Sequence, residues 1–533
     1  MNKRRRHIRL SWVSVLLLPV ALANAQLIDE TQTTPHVPGG AIGKSLAEQI
    51  GAGHGDMFTP GSSIYLIKRD PARAIRRGRQ LFQRKFTANQ GTSTRVQGDA
   101  IGNIQDHPAL GAGQADSCAL CHGRPRGAAG FGGDVATRPD SRDAPHLFGL
   151  GLVEMLADEI TADLRAIRED AINRALADNQ PITATLESKT IRYGQILALP
   201  DGTVDTSQVE GVDPDLRIRP FFAHGSTISM REFIIGAFKD EMGLEASDPV
   251  LCAVTDPDNP QRVISPAGFV FDPDLDTFQR PPVCDAAADS DEDGVVNEID
   301  PALVDYMEFY LLNYFKPGRG EIDAFVQQGL ALFQDIGCAD CHVQTLTIEQ
   351  DRRVADVETQ FDAQQGIFNR LFATVIPLFD IVEDDEPFPQ LLPQGNAFEV
   401  RNIFTDLKRH DLGPAFHERH YDGSLQVAFV TEPLWGVGTT PPYGHDGRSI
   451  NLREVILRHG GEAEASRQEF EQLSHADQHS VLDFLRSLVL FPPDDTASNL
   501  NPGNPGTANP QAPAEHGSIN LGALFQISTE GPE

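Results

Sequence analysis

Apolar residues recur at helical spacing in two short segments of the chain. Residues 72–82 place a glycine, a leucine and a phenylalanine on one side of a predicted helix, and residues 325–335 repeat that arrangement. Two further apolar helices, at residues 304–315 and 481–491, each run towards a proline, which ends a helix. The repeated order predicts two related helical units within one mainly α chain.

One segment departs from this helical pattern. Residues 191–219 alternate in part between apolar and polar positions and contain Asp201-Gly202, a dipeptide that favours a tight turn between strands. We expect a small β-hairpin region here and long loops elsewhere.

Two five-residue motifs follow the related helices: Cys118-Ala119-Leu120-Cys121-His122 and Cys338-Ala339-Asp340-Cys341-His342. C-x-x-C-H is the attachment signature of c-type haem. Each thiol can add to a haem vinyl group, and the adjacent imidazole becomes an axial iron ligand. We expect two covalently bound haem c groups, with His122 and His342 as proximal ligands. A zinc site or a redox cysteine pair is the alternative, although neither motif has a second ligand pair close to it in sequence.

Helix-opening segments follow the two motifs at nearly the same distance. One begins at His224 and the other at His445, and each contains a capping-box spacing, in Ser229–Glu232 and Asn451–Glu454. We interpret the chain as an internal duplication of one cytochrome c-like haem domain. Coincidental similarity between helix-forming sequences is the alternative.

A histidine continues the apolar face of the second of these helices. Leu452, Val455, Ile456 and His459 fall at positions i, i+3, i+4 and i+7. An imidazole on that face is well placed to reach a haem iron. A packed core histidine or a helix-terminal histidine is the alternative.

The first 25 residues have the features of a secretory signal. Five cations precede a short apolar run, and Ala23-Asn24-Ala25 fits a cleavage site that leaves Gln26 as the mature start. Because the apolar run is short and contains Pro19, a retained membrane anchor is the weaker interpretation. Together with haem c, such a signal predicts the periplasm of a Gram-negative bacterium and no membrane span in the mature protein.

Charge and the remaining cysteines narrow the function further. The 533-residue chain has a formal net charge of −32, which argues against binding to nucleic acid and favours a basic redox partner. Four of the six cysteines lie in the two motifs. Cys252 and Cys284 remain, and a disulfide is their simplest assignment in an oxidising compartment.

An acidic insertion at residues 245–300 contains a twelve-residue stretch that fits a calcium-binding loop. Oxygen ligands fall at the required spacing, and Gly294 stands where the loop must turn, although aspartate replaces the usual final glutamate. A solvated acidic loop is the alternative. The expected calcium ligands are Asp289, Asp291, Asp293, Val295, Asn297 and Asp300.

These features divide the chain into five parts. We expect a signal peptide at 1–25, an N-terminal arm at 26–75, a first haem domain at 76–320, a second at 321–492, and a tail rich in Pro, Asn and Gly at 493–533.

Two stretches resemble the di-haem oxidoreductase family, which is related to bacterial di-haem cytochrome c peroxidases and MauG-type enzymes. They are the segment Pro433–Arg448 and the stretch that begins with His459. Phe148–Leu152 and Val212–Asp215 share this resemblance, which covers most of residues 76–492. It implies that His459 is the second axial ligand of the C-terminal haem, with bis-His ligation and a fairly low potential.

The resemblance also implies roles for other residues. Thr440 and Pro442 match positions whose oxygens bind an interdomain calcium, and His445 matches a histidine held by hydrogen bonds near the domain interface. Related peroxidases carry out their chemistry at the N-terminal haem. By their position after its motif, Glu154 and Glu159 are candidate acid/base groups for cleavage of the O–O bond.

The matching position in the first unit lacks a ligand. Aligning the two helix starts places Ala237 where His459 stands, and alanine cannot bind iron. The N-terminal haem is therefore expected to have an open distal face. His107, His146 and Met155 are possible distal ligands from elsewhere in the chain, although each is individually more typical of surface or core.

The expected function is that of a periplasmic, peroxidase-like oxidoreductase. A soluble donor, a cytochrome c or a cupredoxin, would give electrons to the C-terminal haem. They would pass to the N-terminal haem, which would activate hydrogen peroxide or dioxygen. Trp435 is a candidate relay, with a buried structural aromatic as the alternative. Two other functions remain open: a haem dioxygenase similar to rubber oxygenases, and a two-haem electron carrier whose irons both have strong protein ligands.

Overall fold

The computed structural model describes most of the chain from residue 45, in the predicted arm, to residue 489. The signal peptide predicted at 1–25 and the tail predicted at 493–533 lie outside the described residues. The described residues are 45–87, 90–92, 115–122, 142–281, 283–289, 295–313, 318–319, 322–356, 376–420 and 422–489.

Twelve α-helices lie in this described part, and most begin at a Ser, Asp or Asn whose side chain accepts a hydrogen bond from the first helical turn. The predicted caps Ser229 and Asn451 are both used in this way, accepting from the backbone N–H of Glu232 and of Glu454. The helices are α1 (Leu46–Ile50), α2 (Ser63–Arg69), α3 (Pro71–Gln83), α4 (Cys118–His122), α5 (Leu150–Asp178), α6 (Met230–Met242), α7 (Pro249–Val254), α8 (Pro301–Leu312), α9 (Ala324–Asp335), α10 (Leu452–Arg458), α11 (Glu464–Gln472) and α12 (His475–Arg486).

Short strands are numerous in the same residues, and most pair only two by two. The strands are β1 (Ile182–Ser188), β2 (Ile191–Ala198), β3 (Val204–Val209), β4 (Val263–Ile264), β5 (Val270–Phe271), β6 (Gly318–Arg319), β7 (Thr345–Ile348), β8 (Ala355–Asp356), β9 (Ile376–Pro377), β10 (Phe379–Val382), β11 (Gln390–Pro393), β12 (Phe398–Arg401), β13 (Arg409–Asp411), β14 (Glu418–Arg419), β15 (Leu425–Gln426), β16 (Ala428–Val430) and β17 (Leu488–Val489).

The expectation of a mainly α fold made of two cytochrome c-like domains is wrong. The structure is 37% helical and 18% strand, with several small sheets, so it mixes both kinds of element. Many of the strands have only two to four residues and pair over long distances in sequence, as β7 does with β12. Such pairing leaves no local periodicity, which is why the sequence pattern did not reveal it.

The three-stranded sheet β1-β2-β3 contains the hairpin expected at Asp201-Gly202. Strands β2 and β3 pair antiparallel, and Leu199 N–H donates to the carbonyl of Thr203 across the turn. Gly202 has φ +85°, a conformation that glycine adopts without strain. The sheet packs against the long helix α5.

Two helix pairs cross at glycines and position the two cysteine motifs. Helix α3 packs on α8 at Gly78, where a Cβ would collide with the backbone of Tyr306. Helix α9 packs on α12 at Gly329, where a Cβ would collide with the backbone of Ser480. Glycine therefore allows close contact in both pairs.

Two apolar cores surround the motifs. The larger core includes α3, α5, α6 and α8, and Cys118 and Cys121 pack against it. The smaller core is built from α9, α10 and α12, and Cys338 packs against that one. Each C-x-x-C-H motif thus lies at the edge of its own apolar core.

Two further expectations concern covalent structure and the membrane. Cys252 and Cys284 form the predicted disulfide, with Cα atoms 5.7 Å apart. No helix in the described part of the chain combines the length and apolar character needed to cross a bilayer.

Candidate functional site

The first motif forms the short helix α4, with its histidine at the end. His122 Nδ1 lies 2.6 Å from the carbonyl oxygen of Pro145, which can only accept, so Nδ1 carries the proton. The lone pair of His122 is therefore on Nε2, on the far side of the ring. Burial lowers the pKa of His122 and favours this neutral form, the form that binds a metal.

The second motif forms a 3₁₀ turn at Cys338–Asp340, closed by a hydrogen bond from the N–H of His342 to the carbonyl of Cys338. His342 Nδ1 lies 3.0 Å from the carbonyl oxygen of Phe404. As in the first motif, the contact leaves the Nε2 lone pair available. Burial is the main reason that the pKa of His342 falls to about 4.

The motif cysteines test whether these sites suit haem or zinc. All four motif cysteines lack a disulfide. Burial raises the pKa of Cys118 and of Cys338 to about 12, so both are protonated at neutral pH. A structural zinc site needs four ligands, and among the described residues the one group of candidate ligand atoms found close together is Cys341, Asp406 and His410, which contains only one motif cysteine. Paired, partly buried thiols followed by a neutral imidazole fit a covalently attached haem.

His459, the predicted second axial ligand, follows a helix that packs in the same apolar core as Cys338. It caps the C-terminus of α10, and its Nδ1 is 2.7 Å from the carbonyl oxygen of Val455, so Nε2 again holds the lone pair. The ring is packed edge-on against Phe416, with centroids 5.3 Å apart. Burial lowers the pKa of His459, which keeps this ring neutral. A neutral imidazole with an available Nε2 suits an axial position on iron, and the role of His459 as second ligand stays a prediction.

The corresponding surroundings of His122 are aromatic. Helix α6 carries Phe233, whose ring lies 6.5 Å from that of His122. Phe221 and Phe222 pack against Phe233 at 6.1 Å and 5.2 Å between ring centroids. Ala237, one helical turn after Phe233, offers no ligand atom. The contact between α6 and His122 is thus made by an aromatic hydrocarbon ring.

Glu154 is held in the core by two structural contacts. One of its oxygens accepts from the backbone N–H of Met230 at 2.6 Å, at the start of α6, and the other pairs with Arg352 at 2.6 Å. Only 1% of the residue is exposed, and burial raises the pKa of Glu154 to about 8. Its role as a catalytic acid stays a prediction, and these contacts give the side chain a structural task.

Glu159 also has several partners. Its carboxylate accepts from Lys189 Nζ at 2.6 Å and from the backbone N–H groups of Glu349 and Gln350 at 2.8–2.9 Å. It therefore joins α5 to the end of β7. The acid/base role of Glu159 also stays a prediction.

The other proposed distal ligands lie in different settings. His146 uses both ring nitrogens: Nε2 donates to the carbonyl of Trp435 at 3.2 Å, and Nδ1 accepts from the N–H of Phe148 at 3.2 Å. Met155 is 2% exposed, and its sulfur accepts from the N–H of Arg352. His107 lies outside the described residues. His146 and Met155 thus have no spare ligand atom in this arrangement.

The segment at residues 142–148 connects the two histidine sites. It supplies the Pro145 carbonyl that orients His122, and its His146 donates to the backbone of Trp435. No sequence motif marks the Pro145 carbonyl as a contact of His122, because a backbone carbonyl is present at every residue.

Trp435 continues this connection towards the second motif. The indole is 4% exposed and packs in the larger core. The N–H of the preceding Leu434 donates to the carbonyl of Ile403, next to the Phe404 carbonyl that orients His342. Trp435 thus lies on a chain of direct contacts between the two candidate proximal ligands.

A cavity of about 410 Å³ opens beside Trp435. Its walls are Leu152 from α5 and residues 398–402, which include β12. Apolar side chains and the paired Glu399 and Arg401 line it together.

The predicted calcium loop is only partly visible. Asp291 and Asp293 lie outside the described residues. Asn297 accepts from the backbone N–H of Ser247 at 2.9 Å, and Asp300 caps α8. Of the remaining predicted ligands, Asp289 is the last described residue before the gap at 290–294, and Val295 is the first one after it. The loop stays a prediction.

The predicted interdomain calcium positions have a neighbour that the sequence did not identify. Asp143 N–H donates to the carbonyl of His445 at 2.9 Å, and a Cβ on Gly447 would touch both Asp143 and Pro442. Burial raises the pKa of Asp143 to about 7. Thr440 is buried, and its hydroxyl donates to a backbone carbonyl in the same loop. Asp143 is thus a carboxylate from the first half of the chain beside the predicted site.

His445 lies in a polar and aromatic pocket. Its ring stacks on Phe429 with centroids 4.0 Å apart, and Nε2 is 3.9 Å from a carboxylate oxygen of Glu418. Glu418 in turn pairs with Arg142 at 3.0 Å. Burial lowers the pKa of His445 to about 4, which keeps the ring neutral.

Each C-x-x-C-H motif holds a histidine whose Nδ1 faces a backbone carbonyl, an arrangement that suits a haem-binding oxidoreductase. The comparisons agree: residues 392–488, which contain His459, match the family model described as "Di-haem oxidoreductase, putative peroxidase". The match supports the resemblance to the di-haem oxidoreductase family, and both C-x-x-C-H motifs lie outside the matched segment. A search among curated proteins found no match.

Proposed function

We propose that this protein is a periplasmic c-type di-haem peroxidase in which the two haems have different tasks. The observation that carries the proposal is the asymmetry between the sites. The Nδ1 atoms of His342 and His459 both face backbone carbonyls, which leaves each Nε2 available to a metal. By contrast, α6 brings Phe233 to His122 and carries Ala237 where the alignment of the two units expects a ligand. A peroxidase needs one position that substrate can reach and one that stores an electron.

The haems would supply electron storage at the C-terminal site and reduction of hydrogen peroxide at the N-terminal site. Each peroxide takes two electrons from the donor and two protons from solvent and yields two waters. The chain holds His122 and His342 as neutral ligands through the carbonyls of Pro145 and Phe404. A series of hydrogen bonds and covalent bonds through the backbone of Trp435 would give an electron a route between them.

Electron paramagnetic resonance on the ferric protein tests the asymmetry. We expect one low-spin signal, from iron with two imidazole ligands, and one high-spin signal, from iron with an open face. Two low-spin signals that persist after partial reduction would contradict the proposal and favour an electron carrier. Peptide mapping for haem on Cys118, Cys121, Cys338 and Cys341 tests covalent attachment.

A second candidate function is oxidation of an apolar substrate with dioxygen. The aromatic cluster Phe221, Phe222 and Phe233 beside His122 favours it, because hydrocarbon walls exclude water and bind apolar molecules. Phe222 is 37% exposed, so the cluster reaches the surface. Peroxide consumption with reduced cytochrome c supports the first function. Oxygen uptake with polyisoprene and without peroxide supports the second.

We also propose a calcium ion between the two halves of the chain, at Thr440, Pro442 and Asp143. The buried Asp143 carboxyl supports it, because burial raises the pKa of Asp143 to about 7 and a bound cation would stabilise the ionised form. Chelation should lower thermal stability, and Asp143→Asn should remove that sensitivity.

Periplasmic localisation is tested by sequencing the mature N-terminus, which we propose is Gln26.

A further inference from the structure

A second histidine beside the C-terminal motif has no part in the function proposed so far. His410, in β13, is 7% exposed, and both of its ring nitrogens face carboxylates. Nε2 is 2.8 Å from Asp406 Oδ2, and Nδ1 is 2.7 Å from Glu462 Oε2. Carboxylates ionised at neutral pH only accept hydrogen bonds, so both nitrogens donate and the ring is an imidazolium.

The two carboxylates belong to the segments that position the two candidate axial ligands. Asp406 stands two residues after Phe404, whose carbonyl orients His342. Glu462 stands three residues after His459, and its other oxygen accepts from the N–H of Asp411 at 3.0 Å. The His410 ring therefore ties the segment that orients one imidazole to the segment that presents the other.

The same ring lies against the attachment cysteine. Ligand atoms of Cys341, Asp406 and His410 lie within 4.8 Å of one another. Among the causes that raise the pKa of His410 against burial, the hydrogen bond to Asp406 is the largest, and it does not depend on the state of Cys341. Lys408 adds to His410 in lowering the pKa of Glu462.

We propose that His410 is a positioning residue of the C-terminal haem site: its imidazolium holds the His342 and His459 segments together and places a positive charge beside the Cys341 attachment point. The inference rests on the proposed function, since it needs a haem at Cys341. A nearby cation favours the reduced, less positive iron and so raises the reduction potential. Because the His410 link holds the segment that carries His459, it also favours continued binding of His459 to the iron.

The test compares His410→Gln with His417→Gln in the purified di-haem protein. His417 is a matched control because it lies on the same stretch of chain and pairs with one carboxylate, Asp411, at 2.8 Å. For His410→Gln we expect a lower midpoint potential of the C-terminal haem and a new high-spin fraction from loss of His459. His417→Gln should leave both unchanged.

Glu462→Gln separates charge from position. It removes a negative charge, so the potential should rise, whereas the weakened link should again give a high-spin fraction. If His410→Gln keeps the potential and the spin state of the control, the inference is wrong. If the peptide at Cys338–His342 carries no haem, and zinc is found at Cys341, Asp406 and His410 instead, the proposed function fails along with it. Haem content and spectra thus distinguish the two failures.

Discussion

At the scale of single residues, the proposed difference between the two candidate iron sites lies at one position just after α10 and one position inside α6. His459 follows α10 and holds its Nε2 free by donating to Val455. Ala237 occupies the matching place in α6, four residues after the Phe233 ring that faces His122. Residues four apart lie on the same helix face, so position 237 is directed to the same side as Phe233.

Placing a histidine at that position should therefore supply the missing ligand. We expect Ala237→His to convert the high-spin N-terminal signal to low spin and to reduce peroxide turnover by at least about tenfold, because the substrate position is filled. Resonance spectra and peroxide consumption measure both effects. Ala237→Leu is the control, since it fills space without a ligand atom and should stay high-spin. A histidine variant that keeps an open iron and full turnover would show that α6 does not face the iron.

A second residue-scale feature is the buried ion network that holds the N-terminal arm. Arg231 pairs with Asp248, Asp305 and Glu308, and all four side chains are 0% exposed. His54, 28% exposed, adds a second cation through a 2.6 Å contact with Asp305. The contact with Asp305 outweighs burial and raises the pKa of His54 above its usual 6.5.

This raised pKa makes stability depend on pH in a defined direction. The protonated form of His54 is favoured in the folded protein, so its contribution is fully present below about pH 6 and is lost as the pH rises through the folded pKa. We expect His54→Ala to lower the free energy of unfolding by about 2 kcal/mol at acidic pH and by less at about pH 9. Denaturant titrations at both pH values measure it, with the exposed His479→Ala as control. An equal loss of unfolding free energy at both pH values would show that the ion pair between His54 and Asp305 is not the cause.

At the scale of elements, the crossing of α9 and α12 holds the second motif in place. The two helices pack so closely that a Cβ on Gly329 would collide with the Ser480 backbone. Backbone atoms cannot rotate away as a flexible side chain can. The turn that carries Cys338 follows directly from α9, so a shift at this crossing would move the attachment site.

Gly329→Ala should therefore destabilise the protein by about 1–3 kcal/mol through overpacking. Gly236 in α6 provides the matched control, because a Cβ there meets no atom within 4 Å. Gly236→Ala should be neutral or stabilising by up to about 1 kcal/mol, since alanine favours helix. Thermal and denaturant unfolding measure both variants. If the two substitutions had the same effect, close packing at Gly329 would not matter.

Elements with a strong local pattern could be predicted from the sequence, and elements made by distant pairing could not. The capping residues Ser229 and Asn451 and the Asp201-Gly202 turn are present because each depends on nearby residues. Strands such as β7 and β12 depend on partners far away in sequence. In the site, the helix before His459 is present as helical spacing predicted, whereas the ligand role of His459 stays a prediction. The carbonyls of Pro145 and Phe404, and the His410 cluster, did not, because tertiary contacts alone create them.

At the scale of the whole molecule, charge sets which partners the protein meets readily. The formal net charge of −32 gives a long-range attraction for a basic protein and repulsion for an acidic one. A soluble electron donor must approach, transfer its electron and leave, so the rate of encounter limits turnover when the chemistry is fast. We propose a basic cytochrome c or cupredoxin as that donor.

This attraction predicts a strong dependence on salt. Raising ionic strength from about 10 mM to about 500 mM shortens the screening length from about 30 Å to about 4 Å. We expect kcat/KM for a basic donor to fall by about tenfold or more, because encounter slows while the site is unchanged. A neutral small-molecule reductant is the control and should be oxidised at a nearly constant rate, since no field steers it. If both donors slowed equally, salt would be acting on the enzyme itself, and the acidic surface would have no role in choosing the partner.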